Sequence, residues 1–473
     1  MTWSRWRLFA YAAAVTSALG VGYFLVGSPL QIGDCLDNML ELQRDTLAAL
    51  FTNQFHQRGY MRPMLWAALK IAFEMSNGHY FWMYKTIHVL QVLALVVLFV
   101  RLLRVNTMAT ALAVPFGAVV LFGNHTFAPI VIEAFPINHF LTVMLCCLAV
   151  ANLAFDRPAL WRDIAAVLLF VIAVLTVETG LLVWVIVAAA WLGGCRGVSR
   201  RTILLVSAAL LAYFLLRFGL LPAGAPELVE RSSGFGFRVL EPAEMAARFG
   251  HRPLVFYAYN VISHVLSVLF AEPKAGVWYF TRGLVSGDLS PATVIGVLGS
   301  TGSTVLIAGY ALARARDWWH GLVNDHDRLV LLFVAVLAGN AVIGFPYTKN
   351  HIIAPAGVFH ALAATAAMAY ALAYLARSSF ARPAAVVLML ALISLNSVSV
   401  VRYAALHYRI REAAWRNQND WAHQGPTTTR WNVPDDPAGQ RMIRQLYDES
   451  VAMRVPGTYF LNSRLLDRFF EEF

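Results

Sequence analysis

Charge is what this chain has least of. Only 14% of its 473 residues are Asp, Glu, Lys or Arg, against about a quarter in a soluble globular protein, which excludes an ordinary soluble domain. Lysine is scarcest: Lys70, Lys85, Lys274 and Lys349 are all there is among 37 basic residues, the rest being Arg. Cys35, Cys146, Cys147 and Cys195 are the only cysteines, too few and too badly spaced for a disulfide framework. Cys146 and Cys147 adjoin inside an apolar run, so they are packing residues, not a metal site. No metal-ligand spacing, internal repeat or low-complexity tract is visible.

What fills the chain is apolar: 59% of it is hydrophobic. Together with the low charge, this predicts an all-α polytopic membrane protein. The net charge of +10 invites a nucleic-acid partner, but the basic residues stand singly at the ends of apolar runs. There they read as topology signals and phosphate or headgroup contacts, and no nucleic acid is expected.

Apolar runs near 20 residues, oriented by Arg and Lys on the short loops, predict about eleven transmembrane helices. They fall at 8–27, 86–103, 107–123, 137–154, 164–177, 181–194, 202–220, 291–313, 329–345, 352–375 and 384–400. Arg5 and Arg7 place the N-terminus in the cytoplasm, and the first run is an uncleaved signal anchor. Residues 1–400 then form the transmembrane domain, with long outer loops at 28–85 and 221–290. Residues 401–473 form a small extracytoplasmic tail. The apolar stretch 253–271 lies inside an outer loop. Parity therefore requires it to lie along the surface or re-enter without crossing.

The first outer loop organises the rest. Asp34, Asp37, Glu41 and Asp45 fall within twelve residues of a charge-poor chain. Leu40, Leu47, Leu50, Phe51 and Phe55 recur at helical spacing, and Trp66, Leu69, Ile71 and Phe73 do so after Pro63. Two amphipathic helices are expected here, Pro63 opening the second. Asp37 is a plausible N-cap of the first, with Glu41 in its first turn. Further acidic candidates on outer loops are Glu133 and Glu178. The second sits at the tip between two apolar runs, where a charge is costly. Arg58, Arg62, Lys85, His88, Arg217, Lys349 and His351 gather at the same interface as phosphate-binding candidates; snorkelling is the simpler alternative for them.

Several stretches, in this order, resemble one family. They are G-D-C-L-D-N at 33–38, R-G-Y-M-R-P-M at 58–64, F-A-P-I-V-I-E-A-F-P at 127–136, V-E-T-G-L-L at 177–182, Y-T-K-N-H-I-I-A-P at 347–355 and W-R-N-Q-N-D-W at 415–421. Together they are similar to motifs of the GT-C glycosyltransferase superfamily, in particular the O-mannosyltransferases and aminoarabinose transferases. The resemblance covers roughly residues 1–421. It departs where the acidic pair reads Asp-x-x-Asp instead of an adjacent pair, where Val177 replaces a lysine, and where the tail lacks helical repeats for binding a protein acceptor.

The resemblance implies an inverting glycosyltransferase in a plasma membrane, such as a bacterial inner membrane. Its donor would be a polyprenyl-phosphate-linked sugar and its acceptor a lipid, glycan or protein. Asp34 or Asp37 would be the general base, with Asp34 preferred, and Glu133 a second acidic group. Arg58, Arg62, Lys85, Arg217, Lys349 and His351 would bind phosphate, and Glu178 would be structural. The phosphate leaves unaided, so the chemistry needs a carboxylate for the acceptor's proton and cations for the departing charge. No cofactor is required; the acidic loop offers oxygen ligands to a divalent metal. The alternatives are a lipid-linked oligosaccharide ligase or polymerase using a diphosphate donor, and a transporter or flippase, for which inverted repeats would be expected.

Overall fold

The computed structural model describes residues 5–56, 61–132, 139–221, 253–271, 277–345, 349–378, 383–424 and 436–455, with isolated positions 243 and 247. The side chains of Asp34, Pro253, Val277 and Trp278 fall outside that description. All regular structure among the described residues is helical.

The helices are α1 Arg5–Val26, α2 Asp34–Arg44, α3 Leu47–Asn53, α4 Pro63–Met75, α5 Tyr80–Leu102 and α6 Met108–Gly123. There follow α7 Ala128–Ile132, α8 His139–Phe155, α9 Leu160–Val174, α10 Leu182–Leu192 and α11 Arg200–Phe214. The last are α12 Pro253–Phe270, α13 Val277–Ser286, α14 Pro291–Trp319, α15 Asp325–Ile343, α16 Ala354–Arg377, α17 Pro383–Gln424 and α18 Pro437–Ala452. Seven helical segments are long and apolar enough to cross a membrane: α1, α5, α11 with its extension to Leu220, α14, α15, α16 and α17. Four shorter apolar helices, α6, α8, α10 with its preceding turn, and α12, pack among them. Their starts follow local chemistry. Thr46, Thr107, Ser199, Ser290, Asn324 and Asp436 each accept a backbone N–H of the helix they open, satisfying donors that would otherwise be orphaned.

The bundle has two distinct ends. At one, the arginine-bearing loops converge. Arg7 Nε donates to Val105 O at 3.0 Å, and Arg101 and Arg104 reach Asp156 at 3.1 and 3.3 Å. Arg328 donates to Gly193 O at 3.1 Å and pairs with Asp325 at 2.9 Å. At the other end Met64 N donates to Leu175 O at 3.1 Å, so the start of α4 docks on the turn after α9. The bundle core centres on α16, an alanine-rich helix buried along most of its length. Small side chains let neighbouring helices approach closely where lipid gives no hydrophobic drive.

A second, smaller core caps the end away from the arginine loops. Leu36, Met39 and Leu42 of α2, Leu65 and Leu69 of α4, Tyr84 of α5, Trp421 of α17 and Ile443 and Leu446 of α18 are buried together. α17 carries this cap. Its 42 residues make a rod of about 63 Å, roughly twice a bilayer's hydrocarbon core. It runs parallel to α1: Tyr403 OH donates to Ser17 O at 2.6 Å, His407 stacks on Phe24 at 4.9 Å and Asn417 reaches Pro29 O at 3.2 Å. Trp421, fully buried, donates from Nε1 to Leu30 O at 2.8 Å. The helix passes residue 400 without a break, so the tail's first two dozen residues continue the last apolar helix.

Two expectations change. The first outer loop holds three described helices, not two, because the chain breaks at Asp45-Thr46 and Thr46 caps a new one. Asp37 is not an N-cap: α2 starts at Asp34 behind Gly33, whose φ of 122° suits glycine. The stretch 253–271 is helical. Asn260 Nδ2, near the middle of α12, donates to Phe345 O at 2.7 Å, and near the helix's C-terminal end Leu269 O accepts from Thr304 Oγ1 at 2.7 Å.

Candidate functional site

A cavity of about 640 Å³ lies between α6–α7, the start of α14 and the stretch 402–416 of α17. Its chemistry comes from α17. Arg402, Arg409 and Arg416 all line it. Seven residues is nearly two helical turns, so the three share one face. Arg402 Nη1 donates to Ser300 Oγ at 3.1 Å, and Arg416 pairs with Glu412, also on the wall. Ser290, Thr293, His125 and Asn350 add neutral polar groups, and His125 Nε2 lies 3.0 Å from Ser267 Oγ. Three guanidinium groups against one carboxylate make the cavity basic. Guanidinium groups bind phosphate oxygens through paired N–H donors.

None of the described sequence-predicted residues lines this cavity, but sequence neighbours of Glu133, Lys349 and His351 do. Ile132, immediately before Glu133, and Asn350, between Lys349 and His351, line it. Glu133 and Arg58 themselves lie outside the described residues. Arg416 precedes Asn417, which holds the Pro29 carbonyl, so the segment leading into α2 is tethered to the arginine helix. On α2, Asp37 and Glu41 stand one turn apart and share one face. Cys35, Leu36, Met39 and Leu42 are buried on the other side. Asp37 is exposed. Glu41 is half-buried, and burial, helped by Asp45, pushes its carboxyl up from the usual range.

A second cluster forms where α4 meets the α9–α10 turn. Glu178 accepts from Arg62 at 2.8 Å and from Arg217 at 3.3 Å. Arg217 also donates to Tyr213 OH at 2.6 Å from a π-helical turn, Leu215–Leu220. Burial disfavours the Glu178 charge, but the two guanidinium groups outweigh it and hold the carboxyl below its usual range. Gly180 makes this turn possible: a Cβ there would stand 2.2 Å from the Ala173 carbonyl carbon. Arg62 and Arg217 therefore enter a shared ion pair before any phosphate. His139 and His351 border the cluster, with Phe140 4.3 Å from the first ring and 4.8 Å from the second.

His351 supplies a pH signature. Burial, with Lys349 and Arg62 nearby, pulls its imidazole down to about 4. The unfolded chain binds the proton near 6.5, so between those values protonation favours unfolding. Above pH 6.5 the residue costs nothing; as pH falls towards 4 it withdraws stability. Thermal unfolding in detergent between pH 7 and 4.5 is expected to show a shallower loss for His351→Gln than for wild type. Equal slopes would show that His351 titrates normally.

Lys85 is buried in the first turns of α5, 5.8 Å from the Phe81 ring centre, and its Nζ finds no hydrogen-bond partner among the described residues. His88, one turn on, is buried likewise. Neither lines the basic cavity. No cluster of three or more His, Cys, Asp or Glu suited to a metal occurs among the described residues.

Sequence reading missed the arginine row because it ended the last membrane helix at residue 400 and took what followed as a tail. The seven-residue spacing of Arg402, Arg409 and Arg416 was the available signal. No family model matches the chain, and neither a curated protein nor a solved structure does.

Proposed function

We propose that this protein is an inverting membrane glycosyltransferase of GT-C type. It moves a sugar from a polyprenyl-phosphate donor to an acceptor on the extracytoplasmic side. In this reading the arginine-loop end faces the cytoplasm, α6, α8, α9 and α10 join the seven long helices in about eleven crossings while α12 stays on one side without crossing, and the capped end faces out. The acceptor oxygen attacks the anomeric carbon opposite the phosphate, and its proton passes to a carboxylate, Asp34, Asp37 or Glu133. The carbon–phosphate oxygen bond breaks, polyprenyl phosphate departs, and the configuration inverts. Arg402, Arg409 and Arg416 meet the charge that grows on the leaving phosphate.

The observation that carries this reading is the arginine row in a cavity large enough for a sugar phosphate, next to the loop that bears the acidic helix. The row runs along about 21 Å of helix, more than one phosphate needs, so a diphosphate donor of the ligase or polymerase kind is the second reading. The test uses the full chain in detergent with labelled polyprenyl-monophosphate and diphosphate sugars. Arg409→Gln is expected to lower transfer about a hundredfold and to weaken donor binding. Wild-type transfer by Arg409→Gln would remove the row from the mechanism. Donor uptake into vesicles without turnover would favour a transporter.

A further inference from the structure

A second, smaller basic cavity lies at the opposite end of the bundle, among the arginine-bearing loops, and the proposed transfer does not use it. It has a volume of about 350 Å³, and its lining includes Arg104, Asp156, Arg157, Arg196, Asp325 and Arg328. From this we infer a phosphate-binding site, in which the headgroup of an anionic phospholipid is held where the helices leave the membrane.

The site is built by backbone, not by loose side chains. The α10–α11 loop is pressed onto the end of α8: Gly197 N donates to Ala154 O at 2.8 Å, and a Cβ on Gly197 would stand 2.1 Å from Leu153 O. Only glycine permits that approach, and it sets Cys195 and Arg196 beside Asp156 and Arg157. Arg104, after α5, has a φ of 48°, a region a residue with a side chain seldom enters. From there its guanidinium donates to Phe155 O and reaches Asp156 at 3.3 Å and Asp325 at 4.0 Å. Arg328, from the first turn of α15, pairs with Asp325 at 2.9 Å and donates to Gly193 O at 3.1 Å. Four separate stretches of chain thus fix one wall each.

The charges do not cancel. Four guanidinium groups line the cavity against two carboxylates. Arg104 and Arg328 share Asp156 and Asp325. Arg157 and Arg196 make no ion pair among the described residues, and both are exposed. The remaining positive charge sits at the ends of α8 and α10, two apolar helices, where a helix that spans a bilayer meets the lipid headgroups. Basic pockets between helix ends at that depth suit phosphate-bearing headgroups, and Arg matches phosphate oxygens bidentately.

The test compares the full chain with Arg157→Gln/Arg196→Gln and with Arg200→Gln/Arg201→Gln. The second pair removes the same charge from the start of α11, outside the cavity. Each protein is placed in phosphatidylcholine nanodiscs and titrated with phosphatidylglycerol, and retained lipid is counted by native mass spectrometry. The first pair is expected to bind phosphatidylglycerol about thirtyfold more weakly, from about 1 kcal/mol for each arginine. The second pair is expected to match wild type. A parallel arm adds inorganic phosphate without anionic lipid. Protection from thermal unfolding there, lost in the first pair alone, would keep the site and make its ligand soluble. Equal loss in both pairs would reduce the cavity to a generally basic surface, and no loss in the first pair would leave it no phosphate to bind. Either result overturns the inference.

Discussion

Asp34→Asn is expected to cut sugar transfer by about 10²–10⁴-fold, the range for removing a general base, with the protein still expressed and folded. Asp34 opens α2, the first helix after α1. The chain entering α2 is fixed to α17 by the Trp421–Leu30 and Asn417–Pro29 bonds, the second of them one residue from Arg416. Under the proposed transfer, the backbone that carries the general base and the arginines that meet the leaving phosphate are thereby referred to one rigid helix, which in-line displacement requires. Asparagine keeps the shape and loses the base; the lost interaction with the helix N-terminus costs only about 0.3–1 kcal/mol. Asp37→Asn and Glu133→Gln belong in the same assay. Full activity in Asp34→Asn with loss in either of the others moves the base to that residue. Full activity in all three defeats glycosyl transfer by general-base catalysis in this chain.

How far the sequence carried can be judged residue by residue. Helical membrane character was legible because apolar runs and punctuating arginines are strong, local signals. The loops carrying Arg7, Arg104, Asp156, Gly193 and Arg328 were assigned to one side from charge alone, and they meet in space. Pro63 at the start of α4 was legible for the same local reason. The arginine row was not, since a hydropathy window ends a membrane helix wherever polar residues return, although backbone hydrogen bonding continues α17 for nearly seven more turns, to Gln424. Arg62 and Arg217 were singled out as phosphate-binding cations at an interface, and the structure sets both against a carboxylate. That both would turn to Glu178 depends on packing between segments 116 and 39 residues away from it, and no local pattern encodes that.

Those two ion pairs make the next largest effect one of stability. Removing the Glu178 carboxylate leaves Arg62 and Arg217 facing each other, and Arg217 is only 5% exposed. Breaking a buried pair by deleting one partner costs about 3–5 kcal/mol. The Glu178 side chain is 27% exposed, so water offsets part of that, and about 2–3 kcal/mol is expected for Glu178→Ala. The damage should spread along one route. Arg62 precedes α4, whose Met64 N–H bonds to Leu175 O, so losing the pair loosens the cap that carries α2. Thermal unfolding in detergent is therefore expected to begin at a clearly lower temperature, with proteolysis in residues 45–62 before the bundle. Glu178→Gln, which still accepts one hydrogen bond, should fall between. Glu178→Leu combined with Arg217→Leu should recover much of the loss, because an apolar pair of similar volume escapes the desolvation cost that a lone guanidinium bears. A donor-binding role for Arg62 or Arg217 predicts something else: weakened donor affinity in Arg62→Gln at unchanged melting temperature. If Glu178→Ala melts with wild type while Arg62→Gln loses donor, the two arginines serve the substrate and the ion pair is incidental.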